Sequence, residues 1–470
     1  MKVARAKRGL RQSTWWFFIS PAAAVVWSSA VALTAVLFPP GYYERLIGEP
    51  NYVHLNLPLV LYVGLCVLAF AFGYRLHRGL ALVRSAGRRR TPRERSRPRQ
   101  QMIIPVVVVA CIVLIPVSAY LLVSVLSTTS LSAIIGSLVG DQSSLTLRQS
   151  THETFSQENI SYVFVATVVL VPWLVWQALG IRASRRRASA EGYVAVALVS
   201  LLLLLVTMNS VLVQGKGELL YPVLATLVAW VAFRLRQGRV RPRRLFAAGA
   251  GAFTFAIGYF ALISITRARA SDGAAHAAEK LVAFTVGSYN RFAAVLDGIL
   301  EVPGGGGYYW TQWLWEMPVV QNIIDLESAA TRIFGVIPPS GFDERTSYIF
   351  GAGLDGTITS FTIFAHSFVD FGWFGFAPFV VYGFLSRLAW VAFKDAKPWA
   401  IVLYPQVLWS ILEWRGTVWI ARDAMLVFVL VAVAVGIGEQ LMRHYAATAG
   451  PPARPRGIEV GIRRRSWRHI

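Results

Sequence analysis

The sequence predicts an all-α, polytopic integral membrane protein, and three observations predict it. Of 470 residues, 55% are hydrophobic and only 15% charged, for a mean hydropathy of +0.52; one water-exposed domain cannot hide that much apolar surface. Apolar runs long enough to cross a hydrocarbon core of about 30 Å as helix recur along the chain, and irregular backbone cannot face lipid. The net charge of +22 is concentrated between those runs. The same composition excludes a disordered chain, a collagen-like chain and a small disulfide scaffold.

About ten segments qualify as spans. The first, 15–38, is too long for the core of a signal peptide and has no clear cleavage site, so it reads as an uncleaved anchor. Segments 57–76 and 102–126 each enclose one cysteine, Cys66 and Cys111, so neither a disulfide nor a thiolate metal site is expected. Segments 161–180 and 192–213 follow. The short segment 219–233 is joined to its predecessor by a tight Gln214-Gly-Lys-Gly-Glu218 turn. Segment 245–265 completes the first seven. Three more, 372–393, the short 399–412 and 417–438, lie beyond a long polar stretch.

With the N-terminus in the cytoplasm and the sides alternating, the inner segments collect most of the 46 Lys and Arg. The positive-inside bias favours this orientation, with both termini cytoplasmic. Runs such as Arg88-Arg-Arg90 are then a topology signal that needs no nucleic-acid partner, and membrane lipids are the expected contacts there.

This gives four stretches: 1–265, seven helices with Arg-rich inner loops; 266–359, a large extracytoplasmic loop between helices 7 and 8; 360–445, helices 8–10; and 446–470, a basic cytoplasmic tail. A loop this long is usually functional. Within it, 274–300 has helical apolar spacing through Leu281, Phe284, Val286, Phe292, Val295, Leu296 and Ile299, predicting an amphipathic helix on the membrane surface or over the bundle. Gly304-Gly-Gly-Gly307 reads as a flexible turn, because no lysine and helix follow it as in a phosphate loop.

There is no Walker loop, HExxH or GxSxG motif, and no metal cage or cofactor motif stands out, so neither metal nor cofactor is expected. What remains are charged groups near the outer face. Lys216 sits in the tight turn, Arg267 and Arg269 close segment seven, and Arg291 and Arg345 lie in the large loop. Arg415 opens the last segment, and Arg422 follows seven residues later, on the same face and roughly 10 Å deeper if the helix is continuous. Such a charge faces a polar cavity, or pairs with Asp423 or Asp370. Taken singly, each of the others reads as an interfacial anchor; together they make a cationic pocket suited to a diphosphate. His366 and Asp370 share a helix face, and Asp355 lies eleven residues earlier. A histidine oriented by a carboxylate is a general base; the alternative is a packed, hydrogen-bonded histidine near a helix end.

The stretch Gly353-Leu-Asp-Gly-Thr-Ile-Thr-Ser-Phe361, followed by His366-Ser-Phe-Val-Asp-Phe-Gly-Trp-Phe-Gly375, resembles the late region of the bacterial O-antigen, or oligosaccharide repeat-unit, polymerases of the Wzy type. Trp414-Arg-Gly416 looks like that family's Arg-Gly pair. Lys216 stands where relatives usually carry an arginine in a Gly/Ser-Arg-Gly turn. Tyr289-Asn-Arg291 and the Gly- and Trp-rich stretch lie where such polymerases carry their large external loop. The resemblance runs from about 192 to 438 and is clearest over 353–416.

The resemblance implies a glycosyltransferase-C-like architecture and a metal-independent enzyme in the bacterial plasma (inner) membrane, with an extracytoplasmic active site. Its substrates, donor and acceptor, would be polyprenyl-diphosphate-linked oligosaccharides, with a flippase and a chain-length regulator as candidate partners. Cations would stabilise the leaving diphosphate, and a histidine or carboxylate would activate the acceptor hydroxyl. Two rival readings stay open, an O-antigen ligase-like transferase and a non-enzymatic flippase or transporter. Flippases tend to have more spans, internal repeats and short external loops.

Overall fold

The computed structural model describes residues 15–85, 99–128, 160–183, 190–212, 216–238, 281–316, 325–335, 342–356 and 358–448, with isolated positions between 243 and 279. Among them every regular element is helical. α1 (Pro21–Val36) opens on Ser20, whose Oγ accepts the Ala23 N–H at 3.3 Å, and on a proline whose fixed φ suits a first turn. A 90° bend leads into α2 (Pro40–Ile47). The long helices α3 (Leu57–Ser85), α4 (Arg99–Thr128), α5 (Ile160–Ala183), α6 (Ala190–Leu212) and α7 (Lys216–Arg236) follow. A π-helical turn, Ala283–Gly287, runs into α8 (Ser288–Leu296). Then come the short α9 (Tyr308–Trp315), α10 (Leu326–Phe334), α11 (Phe342–Gly351) and α12 (Ile363–Phe371). A 3-10 turn, Gly372–Phe376, joins α12 to α13 (Ala377–Lys394). The chain ends in α14 (Pro398–Leu412), a 3-10 turn Trp419–Ala421 and α15 (Asp423–Thr448).

Seven of these helical stretches are long and apolar enough to cross a membrane, or eight if the bent α1–α2 pair is one span. The molecule is inside-out relative to a water-soluble bundle: Leu61, Leu65, Leu68 and Phe72 on α3 and Val109, Ile112 and Val113 on α4 are exposed. Such outward apolar faces suit lipid.

Two of the expected segments are altered. The expected span 245–265 is described at about half of its positions, and those are helical. The expected ninth span is α14, only 15 residues long and buried almost throughout, because α1, α5, α7, α13 and α15 pack around it; a helix apolar all round belongs inside protein. The last span does not begin at 417, since α15 starts at Asp423. Gly416 and the β-branched Thr417 and Val418 are poor helix formers. Local turns satisfy the backbone there instead, Gly416 N–H to the Glu413 carbonyl at 2.8 Å and Ala421 N–H to the Val418 carbonyl at 2.8 Å. The apolar residues Val418–Ala421 make hydropathy begin the span before the helix does.

The tightest helix pair is α3 with α13. A Cβ on Gly73 would lie 1.8 Å from the Val380 carbonyl oxygen, and one on Gly383 would lie 2.0 Å from that of Phe70. Only glycine permits that approach. Above this contact Trp414 is fully buried, edge-on to Phe70 at 5.4 Å, Phe364 at 5.6 Å and Phe379 at 5.7 Å. Cys66 and Cys111 are buried and unpaired.

Candidate functional site

The site is built around α12. Thr362 caps it, its Oγ1 accepting the Ala365 N–H at 3.0 Å, and the Ile363 N–H donates to the Trp414 carbonyl at 3.0 Å. One turn in, this places His366 and Asp370 on a shared face, as their spacing predicts, and both are buried. They do not serve each other. Asp370 accepts the Tyr309 N–H at 3.3 Å on Oδ1 and the Trp310 N–H at 3.0 Å on Oδ2. These are the second and third residues of α9, where a helix wants a capping acceptor. The residue before α9 is Gly307, which has no side chain to cap with, so the carboxylate is borrowed from α12. Trp310 Nε1 adds a bond to Ser367 Oγ at 3.0 Å. Gly304–Gly307 all have positive φ (103°, 133°, 63° and 102°), which glycine adopts without strain, and this run brings α9 across α12.

Docked this way, α9 lays the Tyr309 ring 4.2 Å from His366, with Phe361 at 5.8 Å. His366 Nδ1 is buried with no hydrogen-bond partner. The histidine is held by aromatic packing and by the Thr362 backbone one turn earlier, and a carboxylate orienting it, as the spacing invited, is not what the fold provides.

The two arginines approach from the 413–422 turn. Arg415 Nη1 donates to the Phe284 carbonyl at 3.1 Å, within the π-helical turn, and its Nη2 pairs with Glu413 Oε1 at 3.2 Å. Its guanidinium lies 5.9 Å from the Phe284 ring centroid and within electrostatic reach of Tyr289. Burial raises the Tyr289 phenol above its usual range, and the Arg415 charge offsets part of that rise. Arg422 stands in extended conformation just before α15, its guanidinium 5.6 Å over Trp419 and its Nε buried without a partner. Its charge acts on the His366 ring. Because α15 starts at Asp423, Arg415 and Arg422 do not share a helix face as the sequence suggested; the turn between them brings them to the α8–α12–α9 region by different routes.

Arg291 is elsewhere in kind. It is fully buried and pairs with Glu49, Nη1 to Oε1 at 2.8 Å and Nη2 to Oε2 at 3.0 Å, while Nε donates to the Ile358 carbonyl at 2.7 Å. This pair fastens α8 to the α2–α3 connection, and it leaves the guanidinium engaged on every side. Asp355 belongs to the same knot through its backbone, its N–H donating to Glu49 Oε2 at 2.8 Å and its carbonyl accepting from Arg291 Nη2 at 2.7 Å. The amphipathic stretch around it packs on α1, α3 and α12, where the sequence left a surface position equally open.

Lys216 is the first residue of α7 and Arg345 lies in α11; Arg267 and Arg269 lie outside the described residues. The sequence reading missed Glu49, Tyr309 and Trp419, whereas Glu413 is the partner that the sequence offered Arg415 as the alternative to a diphosphate. Tyr309 lies in the Gly- and Trp-rich stretch of the large loop, Trp419 gave no signal of its own, and the pairing of Glu49 with a residue 242 positions away left no local signal. Among the described residues no group of three or more His, Cys, Asp or Glu is placed to hold a metal ion.

Comparisons with protein-family models, with curated proteins and with solved structures found no match to this chain.

Proposed function

We propose that this protein is a membrane glycosyltransferase that joins polyprenyl-diphosphate-linked oligosaccharide repeat units into a polysaccharide at the outer face of the bacterial plasma membrane. The observation that carries the reading is a buried histidine within electrostatic reach of Arg422, while Arg415, from the same 413–422 turn, grips the Phe284 carbonyl of the π-helical turn. The resemblance of 353–416 to the Wzy-type polymerases supports the same chemistry.

In this reading the acceptor hydroxyl oxygen bonds to the anomeric carbon of the donor chain, and the bond from that carbon to the lipid diphosphate breaks. His366 takes the hydroxyl proton. Arg415 and Arg422 meet the charge that grows on the departing diphosphate, where guanidinium groups can hold phosphate oxygens at two points. Asp370 and Asp355 are assigned to positioning, since the carboxylate of one caps α9 and the backbone of the other is tied to Glu49 and Arg291.

The test is reconstitution in proteoliposomes with the lipid-linked repeat unit of the source organism as donor and acceptor. A ladder of polymer is expected, reduced roughly 10²–10⁴-fold in His366→Ala. Transfer only to a different acceptor would replace polymerase with ligase, and lipid-linked oligosaccharide crossing the bilayer with no new glycosidic bond would replace enzyme with transporter.

A further inference from the structure

We propose that Arg387, with Lys394 and Arg236, binds the phosphate of an anionic lipid headgroup at the end of the bundle opposite His366. α13 leads away from the His366 region at Ala377 and ends at Lys394. Arg387 lies seven residues before that end, on the same helix face as Lys394 and about 10 Å deeper. A cation at that depth in an apolar helix is costly unless its charge is met.

Arg387 does not reach along the helix toward water. Its Nη1 donates to Tyr74 Oη at 2.9 Å and its guanidinium lies 4.9 Å over the Tyr74 ring, which holds it in the groove between α3 and α13. Tyr74 is a phenol and brings no full counter-charge. Among the described residues no carboxylate pairs with Arg387, and its Nε is buried without an acceptor. Lys394 is near enough for the two charges to repel, with Asp395 as its nearby acid, and Arg236 crosses from α7 to donate to the Lys394 carbonyl. Arg387 and Lys394 thus lie close together on one face of α13, with Arg236 of α7 beside them.

The level and the access both fit a lipid. Lys394 lies 5.4 Å over Trp390, Trp390 meets Trp16 edge-on at 5.6 Å, and Arg234 lies 6.0 Å over Trp230. Tryptophans gathered with cations mark the headgroup layer. On either side of the groove Leu385 and Leu388 of α13 and Phe72 and Leu76 of α3 are exposed, so acyl chains can lie alongside. A phosphate there takes the free guanidinium donors and relieves the repulsion between Arg387 and Lys394.

The experiment is thermal unfolding of the full-length protein in a neutral detergent with phosphatidylglycerol, phosphatidylcholine or inorganic phosphate added. Phosphatidylglycerol should raise Tm by several degrees, as any ligand selective for the folded state does, and the other two should not. Arg387→Gln should lose most of that rise. An undiminished rise in Arg387→Gln, or an equal rise with phosphatidylcholine, overturns the site; an equal rise with inorganic phosphate overturns the lipid as its ligand. If Arg387→Gln does not fold, the Arg236→Gln/Lys394→Gln double variant carries the same comparison: a reduced rise supports the site and an unchanged one removes it.

Discussion

Arg291 and Glu49 lie 242 positions apart in the chain and meet as a two-point ion pair, 2.8 and 3.0 Å between their nitrogens and oxygens, with side-chain exposures of 0% and 2%. Glu49 also accepts from the Tyr43 hydroxyl and from Asn290 Nδ2 at 3.2 Å. The pair therefore fixes where α8 sits, and α8 and the π-helical turn before it carry the Phe284 carbonyl that Arg415 grips.

Removing one member of such a buried pair leaves the other charge without a partner, which costs about 3–5 kcal/mol. Arg291→Ala should lower the unfolding temperature strongly, and Glu49→Ala should do the same. Thermal unfolding in detergent measures this. Normal stability with lost activity in Arg291→Ala would instead return Arg291 to the substrate.

The α3–α13 contact has a control glycine on the partner helix α3. Gly383→Ala forces a methyl against the Phe70 carbonyl, whereas a Cβ on Gly64 of α3 meets nothing within 4 Å. Gly383→Ala should be destabilised by about 1–3 kcal/mol or more, as overpacked sites are. Gly64→Ala should be neutral or slightly stabilised, since alanine is the better helix former by about 1 kcal/mol. Equal unfolding temperatures for the two variants would contradict the close approach.

Asp370 should behave as a helix cap. Asp370→Ala removes the acceptor for the Tyr309 and Trp310 N–H groups and should cost about 0.5–2 kcal/mol, loosening α9 and with it the ring over His366. Asp370→Asn keeps one carbonyl oxygen and should retain most stability and most polymer output. An inactive but fully stable Asp370→Asn would make the carboxylate a chemical participant.

Arg415 separates a diphosphate contact from a helix anchor. The guanidinium reaches the Phe284 carbonyl and Glu413 at once through its two Nη atoms, a fork that lysine cannot reproduce. Arg415→Lys should therefore be markedly impaired in turnover, and Arg415→Ala close to inactive. Polymer length and yield in a deletion strain report it; wild-type ladders from the lysine variant would reduce Arg415 to an interfacial anchor, a task at which lysine serves as well.

Much of the architecture was legible in the sequence because its cause is local. An apolar run of sufficient length forms a helix wherever water is excluded, so α4, α5, α6 and α7 begin and end near the bounds that hydropathy predicts, while α3 starts at its expected bound and runs nine residues past its expected end. His366 and Asp370 share a face because four residues make about one helical turn. The reading departed from the structure where the exact start or the surroundings of a helix depend on what packs around it. Residues 417–421 are apolar enough to read as the start of the last span, and α14 is apolar enough to read as a span.

By itself, then, the sequence determined the helical, membrane-like character of the chain and the positions of most of its long helices, and it offered a small set of candidate charged groups. Tertiary structure alone decided which of those groups are occupied elsewhere. Arg291 and Arg415 look alike in sequence, each an arginine in an aromatic neighbourhood. One meets Glu49 inside the protein, while the other side chain keeps 24% of its surface exposed beside Glu413. Asp370 likewise reads as the partner of His366 until α9 arrives with two N–H groups and no cap of its own. The physical reason is that a charge or a hydrogen-bonding group takes its role from the partner nearest in space, and chain separations of 242 and 61 residues leave no trace of that partner in the local pattern.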